Sequence, residues 1–172
     1  MRRRSMSRNQ RFTEQIWLNH IDAERSAQYY RLTSDRYRRR HSLMVSGVGV
    51  ATIAAGALNT AGHLSSQGWV YWLGLVFSFG AGAGVLMLIR LNDARTVAKA
   101  ESAYAYFAML GRDWQRAWDS PVDDETTLSI LTERMANSPE VGVAIDDQLN
   151  ERCHIEAVQT VGRGYDAQYA AA

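Results

Sequence analysis

"YRRRHSLMVSGVGVATIAAGALNTAG", residues 37–62, runs three arginines and a histidine straight into an uncharged stretch. An α-helix rises about 1.5 Å per residue, so residues 42–61 as a helix would be roughly 30 Å long, which is the hydrocarbon thickness of a bilayer. Residues 42–89 contain no Asp, Glu, Lys or Arg. The formal charge of +1 for all 172 residues conceals this segregation. Residues 1–41 hold eleven arginines against four acids, a net of +7, and residues 90–172 hold eight basic residues against fourteen acids, a net of −6. A basic arm, an apolar middle and an acidic tail are three environments along one chain.

The apolar middle divides at "GHLSSQG", residues 62–68, whose composition predicts a short loop. Beyond it "WVYWLGLVFSFGAGAGVLMLI", residues 69–89, is a second span, opened by Trp69, Tyr71 and Trp72. Amphipathic aromatic rings favour the headgroup level, so this cluster reads as an interfacial anchor. The expectation is a two-transmembrane helical hairpin, residues 42–89, with spans 42–61 and 69–89. A buried hairpin in a soluble core is the weaker reading, because two adjacent stretches of this length without charge on any face suit lipid better than a small core. A cleaved signal peptide would have a shorter apolar run closer to the start, and "MRRRSMSRNQRF" does not lead into the apolar segment that a twin-arginine signal needs. The same dozen residues would suit an organellar transit peptide, but the acids that soon follow count against one.

Orientation follows from the basic residues. Arg36, Arg38, Arg39 and Arg40 precede the first span, Arg90, Arg95 and Lys99 follow the second, and the loop has none. The positive-inside rule therefore places both termini of a multi-pass membrane protein in the cytoplasm. Basic residues beside a span are normally topogenic, so no nucleic-acid partner is expected; the lipid bilayer is the partner of this surface.

Within the spans, Gly47, Ala51 and Ala55 recur at steps of four, as do Gly74, Ser78 and Gly82, while Gly80 and Gly84 form a GxxxG pair. Small residues at this spacing allow close helix packing in lipid, either within the hairpin or between copies. Two such seams on the second span favour a homo-oligomer. A further face of the first span carries Gly49, Thr52, Gly56 and Asn59, polar and small enough to line a narrow path in a ring of copies. Against this, a threonine can bond its own helix backbone, and an asparagine near the loop can sit in the interface.

The flanking regions read as helices, making the whole chain all-α. Residues 1–41 form a basic amphipathic helix with Phe12, Ile16, Ala23, Ala27, Tyr30 and Tyr37 at helical steps, and neither glycine nor proline interrupts residues 2–41. This helix is expected to continue into the first span. Residues 90–119 should continue the second span through Asn92, with Val97, Ala100, Tyr104, Phe107, Gly111, Trp114 and Trp118 forming an a/d-like seam. That seam suits packing against the first helix or assembly between chains. Residues 120–161 should be helical, one helix capped by Ser120 with Pro121, Asp123 and Asp124 in its first turn and Leu128, Leu131 and Met135 as its stripe. "SPE" at 138–140 predicts a second start, with Val141, Ile145 and Leu149 following. Residues 162–172, with two glycines, read as a loose tail.

The sequence offers little chemistry. Cys153 beside His154, with Glu156 near, lacks zinc-site spacing, and His20, His41 and His63 lie in other segments. There is no phosphate-binding loop, no HExxH and no nucleophile and base pair, so neither a cofactor nor an enzyme activity is expected. With one cysteine, no disulfide can form within the chain.

In layout, "IWLNHIDAERSAQYYRLTSDRYRRRH" (residues 16–41), the spans at 42–61 and 69–89, and "AKAESAYAYFAMLGRDW" (residues 98–114) resemble the SLATT proteins, the two-transmembrane effectors of bacterial conflict and antiphage systems. The likeness covers about two thirds of the chain and is one of residue character, without a diagnostic motif. It implies an oligomer that forms a pore or disrupts the membrane when triggered by a separate sensor or nucleotide-signalling protein. It carries over no catalytic residue. The other reading is a membrane anchor or scaffold whose acidic tail recruits a cytosolic partner.

Overall fold

In the computed structural model the described residues are 8–64, 68–91, 93–120, 125–142 and 144–171, with the side chains of 8–11, 63–64 and 165–171 left aside. The chain is all-α. Its elements are α1 (Arg8–Leu64), α2 (Gly68–Leu91), α3 (Asp93–Asp119), α4 (Glu125–Ala136) and α5 (Asp147–Ala171), and no strand occurs among the described residues. Two helices are long and apolar enough to cross a membrane, and their most apolar windows are only 6 % and 11 % buried within the chain. Leu43 and Ile53 on α1 and Phe79 and Ile89 on α2 are each exposed by 72 % or more. A water-soluble core helix would have covered such side chains, whereas lipid solvates them.

The chain divides into two compact units, one made of everything up to Thr33 and from Lys99 on, the other of Ser34–Ala98. The first is a helical bundle. Ile16, Ala23 and Ala27 of α1 meet Ala100, Ala103, Phe107, Leu110 and Trp114 of α3, and Leu131 of α4 and Val141 join them. Alanine recurs on both sides, so the two helices approach closely; the rings then fill the wider places, with Tyr30 stacked on Phe107 at 5.7 Å between centroids. A second cluster lies on another side of α1, where Ile21 packs with Ala157 and Val161 of α5, flanked by Trp17 and Trp118.

Several boundaries differ from expectation. α1 runs to Leu64, so Gly62 is helical rather than part of the loop; 65–67 lie outside the described residues. Helix is present on both sides of Asn92, itself outside the described residues, and α3 ends at Asp119 as its periodicity predicts. The cap proposed at Ser120 through Asp124 falls largely on undescribed positions 121–124, and α4 starts at Glu125.

The start expected at Ser138 is displaced to Asp147. Asp146 is the actual cap: its Oδ1 accepts from the Leu149 N–H at 3.1 Å and its carbonyl from the Asn150 N–H at 2.9 Å. The reason is tertiary. The segment after α4 sends Val141 into the bundle core, turns at Gly142 with φ +69°, and is pinned where the Asp146 N–H donates to the Tyr29 hydroxyl at 3.1 Å. α5 then continues as helix through Ala171, over residues whose composition predicts a loose tail.

Candidate functional site

Within the Ser34–Ala98 unit the apolar part of α1 and α2 pack antiparallel, and four facing pairs fix the register. A Cβ built on Gly62 would lie 3.0 Å from the Tyr71 backbone nitrogen, one on Gly74 would collide with Asn59 Oδ1, and one on Gly84 would lie 2.6 Å from Val48 Cγ2. Arg40 pairs with Asp93 at 3.5 Å. Ala55, Val70, Gly74 and Ala81 are buried along the same contact. Glycine and alanine are what allow backbones this near, and each larger side chain lies over a missing one.

The small residues thus separate into two sets. Gly74 and Gly84 belong to the contact between α1 and α2, with half-buried Ser78, whose hydroxyl bonds the Gly74 carbonyl at 2.8 Å. Gly47, Gly49 and Gly56 on α1 and Gly80 and Gly82 on α2 face open space. With 3.6 residues per turn, Gly49, Thr52 and Gly56 on α1 and Gly82 on α2 flank one side of this contact, while Gly47 and Gly80 flank the other. Val50, Ile53 and Ala57 make up the outer face of α1 and are exposed.

The expected polar face of α1 is therefore only partly free. Asn59 turns inward against Gly74, and its Oδ1 is buried without a hydrogen-bond partner. Asn59 is a packing residue of the helix pair, which corrects its reading as a lining residue. Thr52 is exposed, but its hydroxyl donates to the Val48 carbonyl at 2.8 Å, so its hydrogen-bonding need is met by its own helix.

At the charged end of this unit Arg36, Arg38, Arg39, Arg40, Arg90 and Arg95 are all exposed. Asp93, 3 % exposed, faces Arg40 as an ion pair without hydrogen-bond geometry to its Oδ2. Sequence reasoning missed Asp93. Its signal was there, as the first acid after forty-eight uncharged positions, 42–89, and the arginine next in line.

The seam Val97, Tyr104, Phe107, Trp114 and Trp118 is likewise divided. Trp114 is 0 % exposed and Phe107 5 %, both in the core that α1 and α3 share; Trp118 is half-buried between the two clusters, and Tyr104 points outward. Phe107 and Trp114 are packed within the chain's own bundle. Lys99 is exposed at the start of this segment and Val97 half-buried in the neighbouring unit.

Ionisable groups in the bundle are shaped by burial. Desolvation lowers His20 below its ordinary 6.5, opposed in smaller degree by the Asp119 carboxylate. Burial raises Glu24 above 4.5. Burial also raises the Cys153 thiol, with Glu156 adding to the effect, so this sulfur is held as a thiol in the packing and is a poor nucleophile. No group of three or more His, Cys, Asp or Glu that could hold a metal ion occurs among the described residues. Compared with known proteins, the chain matches no family model, no curated protein and no solved structure.

Proposed function

We propose that the chain is a membrane-permeabilising effector: a transmembrane hairpin with both termini in the bacterial cytoplasm, copies of which assemble in the inner membrane when triggered. The observation that carries this reading is the uncovered glycine-lined side of the helix pair, with Gly49, Gly56 and Gly82 all open. A passive tether has no use for backbone exposed in lipid, whereas a further helix can approach there closely. Thr52 supplies the polar atom on that side, and the lining is now Gly49, Thr52 and Gly56 without Asn59. The layout shared with SLATT proteins supports the same reading, with the trigger supplied by a separate protein.

The test is membrane depolarisation or dye uptake after induced expression. Gly56→Leu should abolish it while membrane insertion persists, and Ala57→Leu on the outer face should leave it unchanged. Termini tagged with a reporter should read as cytoplasmic, and a cysteine at Ser66 should label from outside intact cells. Equal activity of the two variants removes the glycine side from the mechanism. The anchor reading rests on the exposed acids Asp147 and Glu151 along α5, which would suit a basic cytosolic partner. It is favoured if the wild type leaves the membrane potential intact under every trigger tried.

A further inference from the structure

The helical bundle has an open cavity of about 410 Å³ between the start of α1, the end of α3 and α4. This is within the range of small-ligand pockets, roughly 300–1,000 Å³. Phe12, Leu128 and Leu131 give it an apolar wall. Its charged wall is a triad: Asp113 accepts from Arg116 Nη1 on one oxygen at 3.0 Å and from Arg134 Nη1 on the other at 3.4 Å. One carboxylate thus orients two guanidiniums from different helices.

Stability does not account for the triad, since ion pairs whose arginines are 77 % and 54 % exposed contribute little. The arrangement also runs against its surroundings. Residues 90–172 carry a net charge of −6, yet among the described residues the charged side chains lining this cavity, Arg116, Arg134 and Asp113, sum to +1. Each guanidinium has five N–H donors and, among the described residues, uses one on Asp113, so several are left to a ligand. Two planar forks beside an apolar wall match a tetrahedral oxyanion attached to a flat ring.

We propose that this cavity binds a small organic phosphate, with its phosphate between Arg116 and Arg134 and a flat apolar body against Phe12, Leu128 and Leu131. Because the lining comes from three helices, the ligand ties them together. The site does not depend on the permeabilising function.

The test is calorimetric titration of the full chain in lipid nanodiscs, with empty discs subtracted. The probes are 1-naphthyl phosphate, its neutral counterpart 1-naphthol, and inorganic phosphate. Saturable binding of 1-naphthyl phosphate at one site per chain is expected, at least tenfold tighter than either other probe. The Arg116→Gln/Arg134→Gln double variant should weaken it at least tenfold. Ile130→Trp, which adds bulk at an exposed lining residue, should abolish it with helix content kept. Arg152→Gln, which removes the Arg152–Glu156 ion pair on α5, should leave it unchanged. The proposal is overturned if 1-naphthyl phosphate shows no saturable binding, if 1-naphthol binds as well, or if the double variant binds like the wild type.

Discussion

His20 shows what burial does to a single residue in this chain. It lies 6 % exposed in α1, and desolvation lowers its pKa below 6.5 even though Asp119 pulls the other way. The folded state therefore binds fewer protons at this site than the unfolded chain does. Its contribution to stability is complete above pH 6.5 and is lost as pH falls from 6.5 toward the lowered value. Glu24 acts in the opposite sense. Its raised pKa gives a contribution complete below pH 4.5 and lost as pH rises through the raised value. Between pH 7 and 5.5 the melting temperature of His20→Gln should consequently fall less than that of the wild type. Parallel pH profiles for the two proteins, followed by circular dichroism, would show that His20 is not the group concerned.

At the scale of elements, the contact between α1 and α2 makes a prediction that depends on register alone. A Cβ at position 84 lies 3.9 Å from Val48 Cβ, inside the ~3.5–4.5 Å that a disulfide requires. Replacing valine by cysteine also removes the methyl that crowds this point. In a Cys153→Ala background, Val48→Cys/Gly84→Cys should close an intrachain disulfide under mild oxidation, whereas Val48→Cys/Gly82→Cys should not, because position 82 faces open space. Mobility on non-reducing gels reads the outcome, and comparable closure of both pairs would refute the register. The ends of α5 make a related point about elements. "SPE" has the composition of a helix start, but Val141 is buried in the bundle and the Tyr29 hydroxyl holds the Asp146 N–H, where a cap is again available and α5 begins.

The whole molecule is two units, and they should respond separately to damage. Trp114 is fully buried in the bundle, so Trp114→Ala should cost that unit about 3–5 kcal/mol of stability. Closure of the 48–84 disulfide, which tests only the Ser34–Ala98 unit, should survive the same substitution. Its loss would mean that the helix pair depends on the bundle.

What the sequence determined by itself was everything carried by local period and length. The all-α class, the two apolar segments, the end of α3 at Asp119 and the inward faces at Ile16, Ala23, Ala27 and Leu131 all follow from spacing along one helix. Rotation of the apolar helices was not legible, since a helix without charge on any side gives no pattern that points one face inward. Only the packed pair decides that Asn59 and Gly84 turn toward the neighbouring helix while Gly56 and Gly82 stay open. The aromatic seam had the same ambiguity, because its spacing is identical whether the partner is another copy or the chain's own first helix. The tertiary structure places Trp114 in the chain's own core, and it brings together Arg40 with Asp93 and Arg116 with Arg134, pairs 53 and 18 residues apart that no local pattern connects.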